Sequence, residues 1–258
     1  MTVPEAQEKT RLLGFARELA LRACHEIRAS GRGRVTAKEN PADLVTEADL
    51  RVERMLRASI GAAFPAHAVV GEELPPTTGT AQLTWYLDPI DGTANFASGL
   101  PWSSVSIAVA DDSGPLVGVV AAPWQEEIFS AARGGGAFVN GHAIQVQRTP
   151  SLAGRLVLTE WAGHRPWSGM ADVLLGLQDR YATVRIMGSS ALALASVAAG
   201  RAAAAFIGAS HPVDDMAGLL LCTEAGARAV PRDASDLDEN GILVCAPEQA
   251  EQLSRLWR

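Results

Sequence analysis

The stretch Leu87-Asp88-Pro89-Ile90-Asp91-Gly92-Thr93-Ala94-Asn95-Phe96 sets two acids three residues apart at the end of an apolar, aromatic run. That run, Leu83-Thr84-Trp85-Tyr86-Leu87, has the content of a short buried strand, and Pro89 is expected to stop the ladder just after it. Asp88 then sits at a strand tip. Pro89 and Gly92 impose a tight turn, so that Asp88, the Ile90 carbonyl and Asp91 can point into one small volume while Gly92 and Thr93 offer backbone N–H groups to an anion. Like charges so close repel unless a cation sits between them, and an all-oxygen cluster suits a hard divalent ion such as Mg²⁺. Asp-Pro and Asp-Gly pairs are also common turn formers, so either pair alone would need no further explanation.

Around this stretch lie 258 residues, enough for one large domain or two tightly packed ones. Hydrophobic residues make up 48% and charged residues 20%, the balance of a globular protein rather than a disordered one. A formal charge of −7 without a Lys/Arg run argues against nucleic acid or an anionic membrane as partner. Cys24, Cys222 and Cys245 lie far apart with no C-x-x-C spacing and read as buried thiols of a reducing cytoplasm. Residues 1–11 carry mixed charges with no secretory pattern, and the alanine-rich stretch 191–209 is broken by Arg201, so no membrane span is expected.

Residues 5–28 repeat apolar side chains at helical spacing until Ser30-Gly31 ends the pattern. Residues 31–41, with Lys38 near their end, read as a polar, mobile loop, and Asp43-Leu44-Val45-Thr46-Glu47-Ala48-Asp49 opens a second helix. Thr46 and Asp49 have capping-box spacing. The run 68–70 ends in Gly71-Glu72-Glu73, which by itself is an apolar strand followed by a solvated turn. Residues 105–110, 116–121, 128–131 and 137–140 read as strands of an antiparallel sheet, with Gly134, Gly135 and Gly136 in a hairpin. The composition turns to Thr-Pro-Ser near residue 148, which places a boundary between halves 1–147 and 148–258. The second half alternates strands (156–159, 183–187, 202–207) with helices (near 167–177, and 189–199), as an α/β layer does. Gly188 and Ser189 form a glycine turn with a serine N-cap. An aspartate ahead of Met216 is the expected N-cap of a last long helix ended by Gly226.

The combination Asp88-Pro-Ile-Asp91-Gly-Thr93-Ala-Asn95-Phe96 resembles the signature of the inositol monophosphatase-like family of metal-dependent phosphatases. Three further segments agree in order: Thr46 to Asp49, Gly71-Glu72-Glu73, and the pair Asp214-Asp215 ahead of Glu224-Ala225-Gly226. The resemblance implies an α+β protein with a layered α/β/α/β/α sugar-phosphatase fold. It implies that Glu72, Asp88, the Ile90 carbonyl, Asp91 and Asp214 hold Mg²⁺. Asp214 is preferred to Asp215 because it stands ten residues before Glu224, although Val213 replaces the family's usual tryptophan. Glu72 and the Asp49–Thr93 pair would activate water, and Glu73 reads as a surface acid. Asp91, Gly92, Thr93, Gly188, Ser189 and Lys38 would meet the substrate, and a homodimer is implied. The activity expected is hydrolysis of a small phosphorylated metabolite by metal-activated water.

Other chemistries fit less well. A dehalogenase-type phosphatase needs Asp-x-Asp, but residue 90 is isoleucine, and no G-x-S-x-G, Walker or H-E-x-x-H motif occurs. His211 has no second histidine at ligand spacing and reads as a turn residue. Inositol-directed members usually carry a glutamate shortly before the final metal aspartate, whereas Phe206-Ile207-Gly208-Ala209-Ser210-His211 has no carboxylate. Inositol monophosphate therefore stands beside histidinol phosphate, other sugar phosphates and a nucleotide 3′-phosphate as candidates. A non-catalytic relative that binds metal or sugar phosphate is the alternative of a different class.

Overall fold

Alternation along each strand sorts the core into two sheet faces, and the helices cover those faces in layers. The structure is a computed structural model describing residues 3–38, 40–161, 165–232 and 241–257. Helix α1 (Val3–Ser30) is followed by a short hairpin, β1 (Val35–Ala37) and β2 (Leu44–Thr46), and by α2 (Glu47–Ala63). Then come β3 (Ala68–Gly71), β4 (Thr84–Asp91), the single-turn α3 (Thr93–Ser98), β5 (Ser104–Asp111), β6 (Gly114–Ala122), β7 (Glu127–Ala132), β8 (Ala137–Val139) and β9 (His142–Ile144). The second half contains β10 (Leu156–Thr159), α4 (Met170–Gln178), β11 (Thr183–Ile186), α5 (Ser190–Ala198), β12 (Ala204–Ile207), α6 (Pro212–Glu224), β13 (Arg228–Pro231), β14 (Ile242–Cys245) and α7 (Pro247–Ser254).

Strands β3 to β9 form one seven-stranded sheet in sequence order, antiparallel except for the parallel pair β3–β4. On one face Trp85, Leu87, Ile107 and Val119 pack against α1 and α2. On the other, Ala108, Val120 and Phe129 pack against α5 and α6, which also cover Leu158, Ala205 and Val244 of the second sheet. That sheet has the order β11-β10-β12-β14-β13, and its far face packs Val157, Phe206 and Leu243 against α4 and α7. The result is the expected α/β/α/β/α layering. In the five-stranded sheet β10 pairs in parallel with both β11 and β12, while α4 and α5 lie on opposite faces. The carboxyl end of β10 is therefore a point where the winding reverses, the place where α/β sheets open a crevice.

Several local expectations are corrected. Pro89 does not end the ladder: β4 runs on to Asp91, with Asp88 opposite Ser106, Asp91 opposite Ser104 and a register shift between them. A bulge frees the proline from donating, which is how a proline persists inside a sheet. Residues 31–41 are not loop throughout, because β1 pairs with β2, which also delays α2 to Glu47. The fourth helix starts at Met170, after Gly169. Helix α6 is capped by His211 rather than by an aspartate, with Pro212 at its first position, where the missing N–H costs nothing. The capping box of Thr46 and Asp49 is present as expected. All three cysteines are buried free thiols. Glu224 accepts N–H bonds from Gly134 (2.7 Å) and Gly136 (2.8 Å), so it anchors the β7–β8 turn. Among the described residues, no helix is long and apolar enough to cross a membrane.

The middle layer is set by close approach. A Cβ at Gly118 would lie 2.8 Å from the Ala217 carbonyl, so β6 meets α6 backbone to backbone. Gly118→Ala should cost about 1–3 kcal/mol through this overlap, measured as a lower urea midpoint. An unchanged midpoint would show that the layers separate freely.

Candidate active site

The bulge at the end of β4 supplies the first acids. Ile90 turns its side chain into the core, fully buried, while its carbonyl accepts the Thr93 hydroxyl at 3.1 Å. Asp88 is 2% exposed and its Oδ1 accepts the Ile90 N–H at 2.9 Å. Gly92 follows at φ 89°, where a Cβ would lie 2.7 Å from the Gly188 carbonyl, so only glycine fits both the backbone and the gap. Gly92 and Thr93 then line the cleft at the start of α3, where a helix leaves N–H groups without internal partners.

Asp91 joins the two halves. Its Oδ2 accepts the Ala191 N–H at 2.8 Å, the Ser104 hydroxyl at 3.3 Å and a short bond from the Ser189 hydroxyl, and its Oδ1 accepts the Ser190 N–H at 3.3 Å. The negative charge thus sits on the N-terminus of α5. Asp49, fully buried, accepts the Thr46 N–H at 2.9 Å and its hydroxyl on Oδ2, and the Thr93 hydroxyl on Oδ1 at 3.4 Å. Asp49 and Thr93 thus lie within hydrogen-bond reach of each other.

Glu72 reaches the cleft from the turn after β3, and Asp214 from the first turn of α6. Asp215 turns inward instead, 1% exposed, its Oδ2 accepting the His211 N–H at 3.1 Å. Of the two aspartates, Asp214 is the one on the cleft wall, as is His211. Lys38 forms ion pairs with Glu72 (2.8 Å) and Glu73 (2.6 Å). Burial works against its charge, but the bonds and charges of these glutamates outweigh burial and push its pKa up. The ammonium is directed at acids, and Lys38 is not among the residues that line the cleft. Glu73 is not a surface acid: its side chain is 4% exposed and burial pushes it up to about 7 despite Lys38.

Burial raises Asp88 and Asp214 well above the usual carboxylate range, and neighbouring acids raise them further: Glu72, Asp214 and Asp91 for Asp88, and Asp215, Asp91 and Glu72 for Asp214. Asp91 is pushed up to about 7, by burial first and against the Ser189 and Ala191 bonds. Such mutual repulsion between oxygen ligands fits a hard divalent cation. The convergence expected from the sequence is nevertheless incomplete. Among the described residues no three His, Cys, Asp or Glu side chains form a ready metal-holding group. Lys38 holds Glu72 and the N-terminus of α5 holds Asp91, and like charges have no reason to close further by themselves.

Two acids carry structural weight that sequence reading missed. Glu53 is fully buried on α2, paired with Arg57 at 2.7 Å, and accepts the Glu73 N–H at 2.8 Å and the Leu74 N–H at 3.2 Å. It fixes the turn that carries Glu72. Its signal was a Glu-Arg pair at i,i+4 on an otherwise apolar face. Glu160 follows β10, is 6% exposed, lines the cleft and accepts the Gly188 N–H on Oε2, while Oε1 has no hydrogen-bond partner among the described residues. Burial, then the Asp91 charge, push it up to about 8. Its place at the carboxyl end of a parallel strand marks it, and that pairing is not visible in any local stretch of sequence.

The cleft between the sheets measures about 650 Å³. The apolar part of its lining is formed by Leu100, Trp161, Ile186, Met187 and Ile207. An acid-rimmed crevice between an antiparallel and a mixed sheet marks a hydrolase of small anionic esters. The sequence profile of the Inositol monophosphatase family matches residues 8–257, and the chain belongs to that family of phosphoric monoester hydrolases. It is 37% identical over 240 residues to mouse inositol monophosphatase 2, covering 89% of this chain and 82% of that protein. It is 33% identical over 223 residues to the inositol monophosphatase of Dictyostelium discoideum, covering 83% and 82%. Among solved structures, the extragenic suppressor protein suhB of Bartonella henselae superposes with a TM-score of 0.90 at 26% identity, covering 96% of this chain and 98% of that one. The Thermotoga maritima IMPase gives a TM-score of 0.85 at 28% identity, covering 95% and 96%.

Asp91 and Glu160 hold their protons to higher pH when folded than when unfolded, so the folded state binds more protons between the ordinary carboxylate range and about 7 to 8. Stability must then fall as pH rises through that window. With chelator present, the melting temperature should drop between roughly pH 5 and 8.5, and less steeply in Glu160→Gln. A slope identical in the variant would remove Glu160 from the account.

Proposed function

We propose that the chain hydrolyses a small phosphorylated metabolite, an inositol monophosphate, histidinol phosphate or related sugar phosphate, with Mg²⁺ as cofactor. The observation that carries this reading is the group of acids with raised pKa values, Asp91 and Asp214 on the cleft lining and Asp88 buried within reach of their charges. Glu72, Asp88, the Ile90 carbonyl, Asp91 and Asp214 are the oxygens that would hold the metal. Bound there, Mg²⁺ would neutralise charge on the phosphate and the leaving alkoxide and acidify water.

The protein's own groups supply proton handling and orientation. Thr93 Oγ1 stands between the cleft and Asp49, and burial makes Asp49 a stronger proton acceptor than an exposed aspartate. A water beside Thr93 can pass its proton through that hydroxyl to Asp49 as its oxygen forms the bond to phosphorus and the ester bond breaks. Glu72 at the cleft wall is a second acceptor. Gly92 and Thr93 offer N–H groups to the phosphate oxygens, and Gly188 and Ser189 close the opposite side. Lys38 acts by holding Glu72 in place.

A nucleotide 3′-phosphate is a second substrate reading, favoured by the lack of a carboxylate between Phe206 and His211. The non-catalytic alternative has no use for Asp49 and Glu72 beside the other acids. A cytoplasmic homodimer belongs to the proposal through the family resemblance, and sedimentation of the purified protein checks the dimer.

Phosphate release should require Mg²⁺ and stop with chelator. Asp91→Asn should lower kcat/KM by more than about 100-fold with secondary structure and melting temperature largely retained, since asparagine still offers α5 an oxygen. Near-normal turnover by the variant would dismiss this site. A Mg²⁺-replete preparation inert across the substrate panel would favour the binding role.

A further inference from the structure

We infer that the apolar part of the cleft lining selects a planar, aromatic leaving group, with Trp161 as the specificity-determining residue. The substrate class is then an aryl- or heteroaryl-bearing alkyl phosphate rather than a polyol phosphate. This deepens the phosphatase reading and rests on it.

The first ground is exposure. Trp85 and Trp167 are 0% and 2% exposed, whereas Trp161 is 49%, Ile186 48% and Leu100 48% exposed, and all three of the latter line one cleft. Large apolar side chains gathered in a concavity are the usual lining of an organic ligand's site. Their origin is the fold: Trp161 follows β10, Ile186 ends β11 and Ile207 ends β12, so three neighbouring strands deliver them to one edge.

The second ground is what this wall does not offer a polyol. The Asn95 amide donates to the Trp102 carbonyl at 2.8 Å and to the Met187 carbonyl at 2.6 Å. The Ser189 hydroxyl is engaged by Asp91, and the Glu160 carboxylate, 6% exposed on the cleft lining, already accepts the Gly188 N–H. Ile207 occupies the segment in which no carboxylate occurs. A polyol pressed against Trp161, Ile186 and Leu100 would lose water from its hydroxyls without replacement by these side chains, whereas a flat ring would stack on the indole and cover Ile186 and Leu100.

The test uses three alkyl phosphates with comparable leaving alcohols: phenethyl phosphate, inositol monophosphate and glycerol phosphate, each assayed with Mg²⁺ by phosphate release. Wild-type kcat/KM for phenethyl phosphate should exceed that for inositol monophosphate about tenfold, chiefly through KM. Trp161→Ala should lower the phenethyl-to-glycerol ratio about tenfold, and Trp161→Phe should restore most of it. Preference for inositol monophosphate, or a ratio indifferent to Trp161→Ala, overturns the inference while leaving the phosphatase reading standing. Failure to release phosphate from any of the three overturns both.

Discussion

The carboxylate of Asp91 seated on the N-terminus of α5 is the contact on which the site depends. Asp91 ends β4 in the first sheet, yet it receives the Ala191 N–H and the Ser190 N–H from a helix about a hundred residues further along the chain. A helix cannot satisfy its own first N–H groups, and its dipole favours an anion there. Because α5 is packed between the two sheets, this one carboxylate also sets how far the acids of β4 lie from the strand ends of the second sheet. Gly92 makes the same point sterically, since its neighbour across the gap is the Gly188 carbonyl.

So many acids in one place need balance, and the structure shows two answers. Proton affinity is raised: burial, then neighbouring charge, push the pKa values of Asp88, Asp214 and Glu160 upward. Cation is borrowed: Lys38 bridges Glu72 and Glu73. A third buried acid, Glu53, carries its own partner in Arg57 and serves only to hold a turn. The difference between Glu53 and Asp88 is instructive. Glu53 has a cation beside it, whereas the charged groups that shift Asp88 are other acids.

Period-two and period-three-to-four patterns made most elements legible in the chain, because each strand of the first sheet alternates between two covered faces. Capping chemistry located Thr46 and Ser189, both of which cap the helices they precede. Boundaries failed where tertiary pairing overruled local preference. The bulge that lets β4 pass Pro89 depends on its pairing with β5, and β1 exists only because β2 returns beside it. Glu160 escaped notice because nothing near Thr159 and Trp161 in sequence suggests an acid kept from solvent. Its meaning comes from β10 lying between two parallel neighbours, a relation that no local window contains.

Chemistry and selection fall on different parts of the architecture. The acids come from a bulged strand, a helix cap and a turn pinned by Glu53, positions where backbone geometry leaves little freedom. The apolar lining offers Leu100, Trp161 and Ile186, each about half exposed, where substitution disturbs little packing. A change at Trp161 or Ile186 alters what leans against the wall without moving Asp91, whereas a change at Gly92 or Gly188 alters the gap itself. A fold divided in this way can hold its hydrolytic machinery constant while the accepted leaving group drifts, so the acids speak for the reaction and the wall for the substrate.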